Sequence, residues 1–219
     1  MATTTQLTRI VNPVAPRLPA ATVEWDHRFM EQYSNVLRLY FNQLDSALGL
    51  VLSGEGGSFL NFPHGSFYDT TDQTAVSTTV AYPITFNTTD LSNNVSVVSN
   101  SRITFATTGV YNVQFSVQLS NNDNAPQDID IWFRQNGTDI PQSNTRFGLA
   151  ARKSVGNPSH TAAVVNLLVT VDANDYVEIV WCTTNVAARI EAYVAGTSPT
   201  RPAIPSAILT ATFVSSVPA

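Results

Sequence analysis

Three histidines, one cysteine and a few acidic and basic stretches are the residues of this chain whose types could do chemistry. His27, His64 and His160 stand far apart, and none belongs to a two-histidine metal spacing. Each reads as a surface or loop residue. Cys182 lies inside the apolar run Val177-Glu178-Ile179-Val180-Trp181-Cys182, without the flanking signature of a nucleophilic thiol. It reads as a buried core thiol, and a single cysteine forms no intrachain disulfide. Asn121-Asn122-Asp123-Asn124, followed by Asp128 and Asp130, is the oxygen-rich stretch best suited to a hard cation. Its spacing misses the EF-hand pattern, however. Asp128 and Asp130 also alternate with Ile129 and Ile131, which places them on the wet face of a strand. Arg146, Arg152 and Lys153 lie in the segment 144–158, which has weak strand character. Contact with an anionic glycan or acidic partner patch is one reading of them, and a solvated loop is the other. No nucleophile elbow, phosphate-cradling loop or dinucleotide fingerprint occurs, and no carboxylate pair stands out as acid and base. The expectation is a protein that is no enzyme and takes no metal and no cofactor.

Composition points the same way. At 219 residues the chain is long enough for one sizeable core. Only 12% of it is charged, about half the usual share, with Ser, Thr, Asn and Gln filling the gap. A surface of neutral polar groups carries weak long-range fields and suits contact with neighbouring protein. A net charge of -5 with no run of Lys and Arg excludes a nucleic-acid surface. No apolar run approaches a membrane span, so membrane insertion is not expected. The first residues lack the pattern of a signal peptide. The sequons at Asn87, Asn94 and Asn136 follow from an Asn- and Thr-rich composition.

The elements that must position these residues fall into four segments. Residues 1–23, with Pro13, Pro16 and Pro19, read as an extended arm that lies across a neighbouring subunit or is disordered alone. Residues 24–52 read as one amphipathic helix. Phe29, Tyr33, Val36, Tyr40, Gln43, Ala47 and Leu50 share a four-three stripe, and Leu37, Leu44 and Val51 form a second stripe beside it. Thr22 is the expected N-cap. That apolar surface is too wide for an isolated helix, so it packs on its own β domain or on copies of itself in a short trimeric bundle. Residues 53–58 read as a Gly/Ser linker, and 59–219 as the β domain. Its strand candidates are 78–86, 95–98, 103–105, 110–119, 129–135, 162–171, 177–182, 189–194 and 208–214. Asn136-Gly137 is a hairpin turn, and Asn174-Asp175 is expected to turn a second hairpin. Around Thr107-Thr108-Gly109, Ile103 and Phe105 alternate before the turn and Tyr111, Val113 and Phe115 after it. These five and Trp181 are the expected β core. Gly109 is expected to supply a positive φ at the corner. About eight strands at this spacing predict a mainly β, antiparallel jelly-roll sandwich.

The pattern Ile103-x5-Gly109-x-Tyr111, with apolar residues at every second position after it, resembles the central signature of C1q/TNF-like jelly rolls. The segments 36–48 and 146–159, and the closing Pro205-Ser206-Ala207-Ile208, resemble phage-encoded C1q/TNF-like structural proteins over most of 30–217. The resemblance implies a homotrimer on the exterior of a tailed-phage virion, with the arm and helix docking it. Its partners would be itself and other virion proteins, above all the major capsid protein, in a decorating or cementing role. The alternatives are a short tail or head fibre that binds a host-surface receptor or glycan, and, from another class, a glycan depolymerase.

Overall fold

The computed structural model describes residues 13–20, 24–52 and 61–216. The linker 53–58, Thr22 and much of the arm lie outside the described residues. The chain divides into two compact units, Met1–Asn61 and Phe62–Ala219, each taken by itself below.

In the first unit, 13–20 has no regular secondary structure, and helix α1 spans His27–Leu52. Asp26 caps the helix. Its carboxylate accepts the Arg28 N–H at 2.9 Å, and its carbonyl accepts the Met30 N–H at 3.2 Å. Phe29, Tyr33, Val36, Tyr40 and Ala47 are half-buried along one stripe, together with Leu37 and Leu44. Gln43 is exposed, because the 3.6-residue turn carries the stripe from Tyr40 to Leu44. The side chain of Leu50 is outside the described residues.

In the second unit, strands β1 (His64–Asp69), β2 (Tyr82–Pro83), β3 (Thr88–Asn93), β4 (Val95–Val98) and β5 (Arg102–Phe105) lead into the long β6 (Gly109–Asn121). β7 (Gln127–Gln135), β8 (Thr138–Asp139) and β9 (Thr145–Leu149) precede the long β10 (Ser159–Val171). β11 (Tyr176–Thr183), β12 (Ala188–Ile190), the short β13 (Gly196–Thr197) and β14 (Thr200–Arg201), and β15 (Ala207–Ser215) complete the domain. One sheet has the order β10-β6-β15-β1-β3, with β12 on the last three residues of β6. The other has the order β4-β5-β11-β7-β8, with β2 on β11 and β9 on β7. All strand pairs are antiparallel, and the chain passes repeatedly between the two sheets. The fold is a mainly β, antiparallel jelly-roll sandwich.

Alternation explains the core. β6 sends Tyr111, Val113, Phe115, Val117 and Leu119 inward, where they meet Ile103, Phe105, Ile131, Phe133, Ile179 and Trp181 of the other sheet. All of these are essentially fully buried. The two strands beside Thr107-Thr108-Gly109 do not pair with each other: β5 and β6 belong to opposite sheets, and the turn is the crossing between them. The same holds at Asn174-Asp175. The expected hairpin is instead a crossing from β10 to β11, with Asn174 at φ 73° and the Asp175 N–H donating to the Asp172 carbonyl. Local alternation does not distinguish these cases, since both strands bury their apolar faces in the same core. Asn136-Gly137 does turn a hairpin, from β7 to β8, with φ of 49° and 82°.

Gly109 is not in the left-handed region. Its role is close approach, because an added Cβ would lie 2.4 Å from the Phe213 ring. Segment 78–86 is strand only at Tyr82–Pro83. Pro83 donates nothing to a ladder, and the Tyr82 hydroxyl instead gathers the N–H groups of Val76 and Ser77 at 3.1 and 2.8 Å.

Candidate assembly face

Three strands of one sheet differ in charge from the other sheet's outer face. On the β11/β7 sheet, Arg102 pairs with Glu178, Arg134 with Asp139 and Arg146 with Asp130, so that face is laced with ion pairs. On the other sheet, β6, β10 and β15 contain no Asp, Glu, Lys or Arg. Register aligns their outward residues into rows: Val164, Ser116 and Ile208; then Asn166, Gln114 and Thr210; then Leu168, Asn112 and Thr212. Val164 and Leu168 are 55% and 59% exposed, on a strand at the sheet's edge. A long, uncharged edge strand with apolar outward residues is a pairing and packing hazard that proteins normally blunt with charge. Here no charged residue of β10 blunts it.

Over β1, β3 and β15 this face is hollowed into a groove of about 600 Å³. Ser66 and Tyr68 of β1 and Ile208 of β15 line it, with Asp90 of β3, Asp72, and residues of the loops 192–194 and 203–205. Tyr193 and Ile204 exchange backbone hydrogen bonds of 2.9 and 2.8 Å, which holds the two loops together. Asp72 accepts the Ala192 N–H at 2.9 Å, so one of the two carboxylates also fixes the wall. The Tyr193 hydroxyl donates to Glu191 at 2.8 Å and lies 2.8 Å from His160 Nδ1 of β10. Arg189 completes the cluster against Glu191.

Burial alone would raise the Glu191 carboxyl. Hydrogen bonding with Tyr193 and Arg189, and the nearby Ser120 hydroxyl, outweigh it and hold the group below its usual 4.5. Burial and the Glu191 carboxylate push the Tyr193 phenol up. A depressed carboxylate contributes stability above its unfolded-state pKa and loses it as pH falls through the folded-state value. The wild-type chain should therefore lose stability on acidification below 4.5 more steeply than Glu191→Gln, as thermal melts across that range will show.

The other chemical candidates are scattered. His27 stands 3.5 Å from Glu31 on α1, His64 contacts the Phe62 carbonyl and opens β1, and His160 lies within β10. Cys182 is half-buried, its thiol pushed up by burial and by Asp130. Asp123 is taken up by Gln127 and Asn185, and Asp130 by Arg146. Among the described residues no cluster of three His, Cys, Asp or Glu could hold a metal ion, and no helix is long and apolar enough to cross a membrane. On α1 the stripe residues are half-buried and Leu39, Phe41 and Leu48 are exposed, so no described side chain of the helix is fully covered. The groove was not legible in the sequence. β1 and β3 carry no alternating apolar pattern in their sequence, and its loops carry no motif.

No family model matches the chain, and no curated protein matches it. Among solved structures, the chain is similar to the globular domain of zebrafish complement 1qA protein. That match has 15% identity and a TM-score of 0.45, and covers 72% of this chain and all of that one.

Proposed function

We propose that this chain is a homotrimeric structural protein of a tailed-phage virion that sits on the particle's exterior and stabilises the capsid. The observation that carries the assembly part is the charge-free face of β6, β10 and β15, set against a salt-bridged face on the other sheet. Burying neutral residues costs little desolvation, whereas burying the ion pairs of the opposite face would cost several kcal/mol per ion. A second observation is α1, whose described apolar stripe residues are only half-buried. Three such helices side by side would cover one another.

The virion assignment rests on the ordered resemblance of segments 36–48, 146–159 and 205–208 to phage structural proteins. Its mechanism is binding. A trimer engages three equivalent sites on a symmetric particle, so modest contacts gain avidity through effective concentration. The arm and helix dock and the jelly roll projects. In this reading, particles assembled with a chain lacking residues 1–23 carry the protein only at background level, while the truncated chain keeps its β-sheet circular dichroism. Normal incorporation would remove the docking role. Localisation by electron microscopy separates capsid decoration, at the three-fold positions, from a fibre on the tail.

A further inference from the structure

The groove over β1, β3 and β15 has a complement elsewhere on the same domain. Between β9 and β10 the chain makes a tight turn at 154–157. The Asn157 N–H donates to the Ser154 carbonyl at 3.0 Å, and the Lys153 N–H donates to the Asn157 carbonyl at 2.9 Å. Gly156 has φ +76°, the left-handed value that the third position of such a turn requires. The base is anchored: the Arg152 N–H donates to the Asp123 carbonyl at 2.8 Å, and its guanidinium to the Asn122 carbonyl at 3.1 Å. This rigid turn holds Val155 out at 84% exposure, with Lys153 exposed beside it and in no ion pair among the described residues.

The groove is the opposite in each respect. It is concave and lined by Tyr68, Ile204, Pro205 and Ile208, with Asp72 and Asp90 and no cation. Asp90 makes no ion pair among the described residues. In one chain the turn is not part of the groove's lining. The turn leads into β10 at one edge of the sheet, whereas the strands under the groove are β15, β1 and β3, two to four strand spacings or about 10–19 Å away. Tyr193 stands between them, held to His160.

We infer that the turn 154–157 of one copy seats in the groove of the next, Val155 against its apolar lining and Lys153 at Asp90. This is a head-to-tail contact, in which different surfaces of identical chains meet, and it repeats around a closed ring. Both parts are rigid before they meet, which keeps the ordering cost of association low. The inference rests on the trimer reading and names the contact that would close it.

The test uses the full chain with Cys182→Ser as background. One preparation carries Val155→Cys and the other Val194→Cys, on the groove's lip. Mixed and mildly oxidised, they should give a covalent dimer with one chain of each kind, and neither alone should give a comparable yield. Lys153→Glu should raise the concentration for half-dissociation by about tenfold, and Asp90→Lys in the same chain should restore it. If the wild type sediments as a trimer, yet no mixed disulfide forms and Lys153→Glu dissociates no more readily, the contact is wrong and the trimer stands. A Val155→Cys dimer with itself would mean a symmetric contact and also overturns the inference. A wild type that is monomeric at micromolar concentration overturns the trimer and the contact together.

Discussion

Tyr111→Ala should lower the melting temperature of the β domain by about 6–20 °C, the size expected when a buried aromatic is truncated at a cost of about 3–5 kcal/mol. Tyr111 sits at the middle of the aromatic core. Its ring centroid is 4.5 Å from that of Phe105 on the opposite sheet and 5.4 Å, edge-on, from that of Phe213 on β15. Truncation therefore opens a cavity at the joint of three strands. The hydroxyl donates to the Thr107 carbonyl at 2.9 Å and so fastens the crossing from β5 to β6. Tyr111→Phe keeps the ring and gives up that bond, for about 1 kcal/mol or a few degrees. Burial raises the Tyr111 phenol above 10.0. Its neutral form is thus favoured by folding, and that stabilisation is full below pH 10 and lost as pH rises through the folded-state value. A melt series at alkaline pH should show this loss in the wild type and less of it in Tyr111→Phe. Equal melting temperatures for Tyr111→Ala and wild type would mean that the aromatic joint is not the core's centre.

The second large effect is on assembly. Val164→Asp with Leu168→Asp should leave the separated chain folded and nearly as stable, because both positions are more than half exposed within it. In the proposed trimer those carboxylates would be buried without partners, at a cost of about 3 kcal/mol or more, equivalent to at least a hundredfold weaker association. Arg134→Gln, on the salt-bridged face of the other sheet, is the control and should leave association unchanged. The pair separates the two faces. If the Arg134 variant dissociates and the double variant does not, the assembly face has been assigned to the wrong sheet.

Alternation made the centre of this fold legible. Residues 110–119 carry enough inward apolar positions to fix which side of the strand is buried, the unbroken apolar run 177–182 marks a central strand, and Asn136-Gly137 has the residue types that a tight hairpin demands. Topology was not legible in the same way, as the crossings at Thr107-Thr108-Gly109 and Asn174-Asp175 demonstrate. A two-sheet core makes the same inward pattern from either sheet. β1 and β3 were hidden because they bury little apolar surface: β1 turns inward Gly65, Phe67 and Asp69, the last a carboxylate satisfied by Thr71, Thr85 and Asn87. The paucity of charge was visible in the composition, but the charge-free patch it leaves emerges only when β6, β10 and β15 stand side by side. The groove depends on loops whose backbones, not their residue types, bring Tyr193 and Ile204 together.

Sedimentation equilibrium of the wild-type chain at micromolar concentration bears on the assembly face most directly. A mass of about 71 kDa, three chains of 23.7 kDa, is the expected result. A mass of 23.7 kDa, with the β-sheet spectrum intact, would contradict it.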